Sequence, residues 1–202
     1  FTAADIDTSA SGARSVFAAD MDCDGDMDIL SASTGDNKIA WYENDGDVTN
    51  PTWTAFAIDT SAADARSVFA ADMDGDGDMD ILSASLGDNT IAWYENDGNV
   101  NPLWTAADIN TSARGATRVF AADMDGDGDM DILSSSFLDD KIAWYENDGD
   151  VTNPTWTAAV ITTSARGASD VFAADMDGDG DMDILSASIT DNKIAWYQNN
   201  GD

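Results

Sequence analysis

Short apolar runs alternate with turn-forming segments along the whole chain, and the same arrangement returns every 51 to 52 residues, as the tryptophans of the WYEN or WYQN motif show. In the first repeat these runs predict strands at Ser15–Asp20, Asp28–Ser33 and Lys38–Glu43, followed by a fourth strand at Trp53–Asp59. The runs are bounded by Gly, Asp, Asn and Pro, and none has a helical period of useful length. The pattern predicts an all-β protein with four strands in each of four repeats.

The predicted architecture is a single β-propeller array over residues 1–202, with four-stranded antiparallel blades. Sequential strands joined by short turns form a meander, and a unit of this size buries its apolar face only by stacking on a neighbour. A right-handed β-solenoid is the alternative, but its turns are shorter. The repeats fall at about 1–52, 53–103, 104–155 and 156–202.

The start of the chain is permuted relative to the repeat. Phe1 aligns with Trp53, Trp104 and Trp156, so the chain begins on an outer strand, while it ends just after a third strand. We therefore expect the strand Phe1–Asp7 to complete the last blade, which removes two raw sheet edges.

Composition adds constraints. With 43% hydrophobic residues and seven tryptophans the chain has enough apolar material for a core, so its net charge of -32 does not indicate disorder. That charge disfavours nucleic-acid binding. There is no histidine, which removes the commonest general base, and no apolar run long enough to insert into a membrane. The single Cys23 replaces a glycine of the other repeats and is interpreted as sequence drift.

An aspartate-rich loop joins the first two predicted strands of every repeat. It reads DMDCDGDMD from Asp20 and DMDGDGDMD in the later repeats, and the chain has only eight Lys and Arg residues to offset the repulsion. Calcium takes about six to eight oxygen ligands, which alternating carboxylates around a tight glycine turn can supply. We therefore expect four Ca²⁺ per chain, whereas magnesium or an empty acidic turn is disfavoured. The candidate ligands are Asp20, Asp22, Asp24, Asp26, Asp28, Asp72, Asp74, Asp76, Asp78, Asp80, Asp123, Asp125, Asp127, Asp129, Asp131, Asp175, Asp177, Asp179, Asp181 and Asp183.

The loop starts like an EF-hand, D-x-D-x-D-G, but serine stands at its twelfth position, where an EF-hand has glutamate. The pattern D-x-D-x-D-G-D-x-D between two strands resembles the FG-GAP/VCBS repeats of integrin-α-like propellers, and WYEN strengthens the likeness to VCBS repeats. The resemblance covers essentially the whole chain. It implies side-chain ligands at positions one, three, five and nine, and a backbone carbonyl at position seven.

The repeat number leaves two assemblies open. Propellers of this family typically have about seven or eight blades, whereas this chain supplies four. Either four blades close alone as a monomer, or two chains form an eight-bladed homodimer in which each N-terminal strand completes the other chain's last blade. We favour the homodimer, because blades shaped for a wide ring need extra wedging to close at four.

The two faces of the predicted ring differ in charge. The aspartate loops and the ENDGD loops share one face, while the other, variable face carries all the basic residues and is the candidate surface for a glycan or protein ligand. Neutral drift on solvated loops is the competing interpretation. Trp41 and Tyr42 are assigned to packing between blades and not to sugar stacking. The basic residues are Arg14, Arg66, Arg114, Arg118, Arg166, Lys38, Lys141 and Lys193.

Two classes of function follow. The first is a non-enzymatic, calcium-binding adhesion, scaffold or lectin-like module, secreted or at the cell surface, with its signal peptide absent from this chain. The second is a propeller-type polysaccharide lyase or hydrolase, which near-identical repeats without histidine disfavour. High internal identity adds a third possibility, a fragment or an engineered propeller with no ligand of its own.

Overall fold

The computed structural model describes residues 3–99 and 101–201. All regular elements in these ranges are β-strands, as the alternating pattern predicts, and the described residues include no helix that could cross a membrane. The strands are β1 (Ala13–Ala19), β2 (Asp28–Ser33), β3 (Lys38–Asn44), β4 (Trp53–Asp59), β5 (Ala65–Ala71), β6 (Asp80–Ser85), β7 (Thr90–Asn96), β8 (Trp104–Asn110), β9 (Ala116–Ala122), β10 (Asp131–Ser136), β11 (Lys141–Asn147), β12 (Trp156–Thr162), β13 (Ala168–Ala174), β14 (Asp183–Ser188) and β15 (Lys193–Tyr197).

Consecutive strands pair antiparallel into four separate sheets, one per repeat. The first three sheets have the order β1-β2-β3-β4, β5-β6-β7-β8 and β9-β10-β11-β12, and the fourth sheet contains β13-β14-β15. The predicted bounds of β2 and β4 are confirmed. β1 begins two residues and ends one residue earlier than predicted, and β3 ends one residue later. Because the strands form a meander, the aspartate loops lie at one end of the strands in every sheet. The loops between the second and third strands lie at the opposite end.

The sheets pack face to face in chain order. The A face of a sheet is defined by Met21, Leu30, Ile39 and Trp41 or their equivalents in later repeats. The B face is defined in the second sheet by Val68, Ala70, Ile81 and Tyr94, and in the other sheets by the equivalent residues. In each of three core clusters the A face of one sheet meets the B face of the next, and we call this contact a joint.

The row of four sheets is open among the described residues. Tilted phenylalanine rings of the first strand of each sheet pack from Phe17 to Phe69, Phe120 and Phe172, with ring centroids 4.6, 4.9 and 4.6 Å apart. Within the described part of the chain, no such pair joins the two ends of this row. Residues 3–7 form no strand, so the fourth sheet has three strands in the described ranges. Phe1 and Thr2 of the predicted closing strand lie outside the described residues. Closure into a ring therefore stays a prediction.

Candidate functional site: four aspartate loops and a basic face

Each aspartate loop is held by its first carboxylate. Asp20 Oδ2 accepts a hydrogen bond of 3.0 Å from the amide of Gly25, and the equivalent bonds in the later repeats are 3.0, 3.1 and 3.2 Å. Gly25 has a φ of 96°, in a region that residues with a Cβ rarely adopt. The glycine therefore lets the chain turn back so that the side chains of one short loop point to a common centre.

Three carboxylates converge in each loop, with one oxygen of each lying within 4.8 Å of the others. Positions one and three take part in all four repeats. Position nine joins them in the first and fourth repeats, and position five does so in the second and third. The groups are Asp20, Asp22 and Asp28; Asp72, Asp74 and Asp76; Asp123, Asp125 and Asp127; and Asp175, Asp177 and Asp183.

The aspartate at position nine has a second task that the sequence did not indicate. Asp28 is buried at the start of β2, where its Oδ2 accepts from the amide of Met21 at 3.1 Å and its Oδ1 accepts from the amide of Asn44 at 2.8 Å. The later repeats have the same two bonds. This carboxylate ties the aspartate loop to the end of the third strand and fixes one side of the site.

The side chains at position seven point away from the converging groups. The Asp26 carboxylate lies against Gly46 in the loop after β3, so closely that any Cβ at Gly46 would collide with it. The same approach recurs at Gly98, Gly149 and Gly201. This carboxylate therefore faces the loop after β3, and the backbone-carbonyl role that the resemblance implies for this position stays a prediction.

The convergence is electrostatically costly in the absence of a cation. Burial, reinforced by the neighbouring position-five carboxylate, raises the pKa of Asp22 and of Asp74 to about 6. Burial raises the pKa of Asp80 to about 7, although two amides donate to it. At Asp183 those amide donors outweigh burial, and the pKa falls below its usual range. None of the five salt bridges of the described residues involves a carboxylate of the four aspartate loops.

Cys23 alters the first loop. Its φ is 59°, a left-handed conformation that the glycines at this position in the other repeats adopt without strain. In those repeats the amide of this residue donates to Oδ1 of the first aspartate at 2.7 to 2.8 Å. Oδ1 of Asp20 is instead buried and has no hydrogen-bond partner among the described residues. The first site therefore keeps its ligands but lacks one supporting bond.

The basic residues lie at the opposite end of the strands from the aspartate loops, as predicted. Most are paired there with aspartates, for example Lys141 with Asp139 at 2.8 Å and Arg66 with Asp64 at 2.8 Å. A shallow depression on this face, which we call the arginine depression, is lined by polar, charged and apolar side chains from all four sheets. Its lining includes Arg14, Arg66, Leu86, Arg118, Phe137 and Ile189.

Asparagines of the WYEN motif join neighbouring sheets and were missed by the sequence argument. Asn96 is buried, and its Nδ2 donates to the carbonyl of Met21 in the preceding sheet at 2.9 Å and to that of Met79 at 3.1 Å. Tyr94 likewise donates to Asp59, the last residue of the preceding sheet, at 2.8 Å. Their strict recurrence was a signal, but a repeat read by itself does not show which of its residues face a neighbour.

Two comparisons with known proteins bear on this arrangement. A family model described as an FG-GAP-like repeat matches three segments, residues 20–83, 72–134 and 135–186. These segments contain the four aspartate loops and most of the chain. No curated protein matches the chain by sequence.

Proposed function

The chain belongs to the FG-GAP-like repeat family, and on that premise we propose that it is a non-enzymatic module of the β-propeller type, secreted or at the cell surface, whose aspartate loops bind calcium and whose basic face binds a ligand. The observation that carries the proposal is the convergence of three carboxylates in every repeat, on a chain whose net charge is -32.

The donor set fits calcium. All candidate ligands are hard oxygen atoms, of the kind that calcium prefers, and Asp20 and its equivalents would supply one carboxylate oxygen in each loop. Asp22, Asp24 and their equivalents would supply further oxygens. Asp28 would keep the loop in place at the start of β2 while the cation binds. Bound calcium would neutralise the clustered charge and cross-link the loop to the start of the second strand. Extracellular calcium modules need only modest affinity, which suits loops that lie at the surface.

Calorimetric titration of the chelator-treated protein tests the calcium assignment. We expect saturation near four Ca²⁺ per chain, with weaker binding of Mg²⁺, which prefers few carboxylates and several waters. Asp125→Asn should lower the stoichiometry by one site, while Asp97→Asn, in a loop of the same face outside the converging groups, should leave it unchanged. Saturation near one or two ions would contradict the proposal.

The proposed ligand surface is the arginine depression with the adjacent β10–β11 loop. Arg14 lines the depression and Arg114 lies beside the β10–β11 loop, and neither makes a salt bridge among the described residues, so positive charge remains available there on a strongly acidic chain. This favours an anionic ligand, either an acidic glycan or an acidic segment of a protein. Leu138 is 53% exposed in this loop and adds an apolar contact.

A loop exchange tests this surface. Replacing Phe137–Asp140 by the TGDN of the first repeat should abolish binding of a ligand found by glycan-array or peptide-array screening, while calcium affinity stays unchanged. The matched control is to replace Leu86–Asn89 by the same TGDN, which changes a single residue and should have a smaller effect. Loss of ligand and calcium together would place the ligand on the metal loops.

The enzymatic alternative requires an asymmetric acid and base pair. The carboxylates with raised pKa values, such as Asp74 and Asp80, recur at equivalent positions of near-identical loops and belong to the proposed metal sites. A polysaccharide lyase or hydrolase would release reducing ends or unsaturated products from acidic polysaccharides. Turnover that survives purification and responds to single-repeat substitutions would favour that alternative.

A further inference from the structure

Each of the three joints is built from the same contacts. At the end of the strands that carries the aspartate loops, Asn96 Nδ2 donates to the carbonyl of Met21, and the two later joints repeat this bond at 2.8 Å. At the other end of the strands, Asn37 Oδ1 accepts from the amide of Asp64 at 2.9 Å, again with equivalents of 2.9 and 2.8 Å in the later joints. Between these two bonds lies an apolar core formed by an A face and a B face.

The two ends of the row present the two halves of one such joint. On the B face of the first sheet Val16 is 71% exposed, whereas its equivalent Val68 is 2% exposed within a joint. On the A face of the fourth sheet Ile194 is 80% and Trp196 is 50% exposed, whereas Ile39, the equivalent of Ile194, is fully buried. The uncovered surfaces are therefore complementary to each other and not to themselves.

The polar groups of the joint are also divided between the ends. Among the residues that the structure describes, Asn44 Nδ2 donates only to Met27, at 3.1 Å, and has no second acceptor of the kind that Asn96 finds in the preceding sheet. Asn192 occupies the position of Asn37 but accepts no hydrogen bond within the described ranges. Packing of a fourth sheet against a first sheet would offer these two groups the partners that the internal joints supply.

We propose that these faces bind a second copy of this chain, with the fourth sheet of each copy packed on the first sheet of the other. The contact is head to tail and occurs twice, so the pair closes into a ring of eight sheets. The Phe–Phe spacings of 4.6, 4.9 and 4.6 Å show nearly equal steps between sheets, and these three steps leave the ends of the row apart. Eight sheets form the smallest ring of whole chains beyond four, within the range of about four to eight blades known for propellers.

The N-terminal segment supports exchange between copies. Tyr42 donates to Asp7 at 2.9 Å, as Tyr94 donates to Asp59 at 2.8 Å. Asp59 ends the outer strand of the sheet that precedes Tyr94, so Asp7 stands where the outer strand of a preceding sheet ends. In the proposed ring that preceding sheet is the three-stranded fourth sheet of the other copy. An apolar groove beside β15, lined by Trp144, Ile161, Ile184 and Tyr197 among others, lies where its missing strand belongs.

Light scattering of the calcium-loaded protein over a range of concentrations tests the proposal. The expected mass is twice 21.3 kDa at high concentration, falling on dilution. Val16→Asp and Ile194→Asp should each yield monomers with unchanged circular dichroism, because both side chains are exposed in the single chain. Val48→Asp is the control: Val48 is 94% exposed in a loop after β3 and outside the two faces, so the dimer should persist.

Mixing the two variants provides a second readout. Val16→Asp retains an intact fourth-sheet A face, and Ile194→Asp retains an intact first-sheet B face, so the mixture can form one native joint and should partly recover the doubled mass. A wild-type mass that stays monomeric would overturn the proposal. A doubled mass that neither variant changes, or assembly that continues beyond two chains, would also overturn it. Variants that unfold would show that the two faces are buried within one chain, which contradicts the proposal as well.

Discussion

At the scale of the residue, the aspartates divide the work of the loop. Positions one and three gather at the centre, position seven turns toward a glycine, and position nine accepts amides from both neighbouring segments. The alternating carboxylates around a glycine turn, with few basic residues to offset their charge, predicted that the carboxylates converge on a cation. It did not predict the amide bonds of Asp28, since their donors come from residues distant in sequence. The sequence therefore predicted the chemistry of the site better than its support.

The pKa of Asp80 leads to a pH-dependent stability of the calcium-free protein. Because this pKa is raised from 3.8 to about 7, the folded state binds more protons than the unfolded state between these values. The contribution of Asp80 to stability is thus present at low pH and is lost as the pH rises through about 7. In chelator, we expect the wild type to lose unfolding free energy relative to Asp80→Asn as the pH rises from 3.8 to about 7, as measured by urea titration. An unchanged difference from pH 4 to pH 8 would contradict the assignment.

Cys23 should cost stability, because it holds a left-handed conformation and leaves Oδ1 of Asp20 without its amide donor. We expect Cys23→Gly to stabilise the protein by about 1 kcal/mol. The reciprocal variant Gly75→Cys, at the equivalent position of the second repeat, should destabilise it by a similar amount. Thermal unfolding under reducing conditions measures both, and a Cys23→Gly variant that melts lower than wild type would show that the cysteine contributes a favourable contact.

At the scale of the element, strands were predicted closely and joints were not. The bounds of β2 and β4 follow from the apolar runs and the turn residues around them. Which strand face meets which neighbour depends on how whole sheets stack, and period-two alternation assigns two faces without naming their partners. Hence the assignment of Trp41 to packing was made from its recurrence, while the donor role of Asn96 became apparent only between two sheets.

The asparagine of the joint gives a prediction at this scale. Asn147 is buried and donates to the carbonyls of Met73 at 2.8 Å and Met130 at 3.2 Å. Asn147→Ala should lower the unfolding free energy by about 1–3 kcal/mol, because it leaves both carbonyls buried without a donor. Asn50→Ala, the same change at an exposed loop position, should have little effect in the same denaturant titration. Equal effects of the two variants would show that the hydrogen bonds of Asn147 in the joint do not contribute to stability.

At the scale of the whole molecule, charge and folding are coupled. Forty acidic residues stand against eight basic ones, and the four aspartate loops lie at the opposite end of the strands from the basic residues. Metal that binds only the folded loops adds its binding free energy to stability. At a free calcium concentration about 100 times the Kd, each site contributes about 2.7 kcal/mol. Excess chelator should therefore lower the melting temperature markedly, with magnesium restoring less than calcium; an unchanged melt would show that the loops do not hold structural metal.

The most direct test of calcium in the aspartate loops is anomalous diffraction from crystals grown with calcium. We expect four anomalous peaks per chain, each beside the carboxylates of positions one and three, with the fifth or ninth position completing the group. The Asp26 side chain and its equivalents should remain turned toward the glycines of the neighbouring loop. Loops without a peak at saturating calcium, or peaks only at the ENDGD loops, would contradict this expectation.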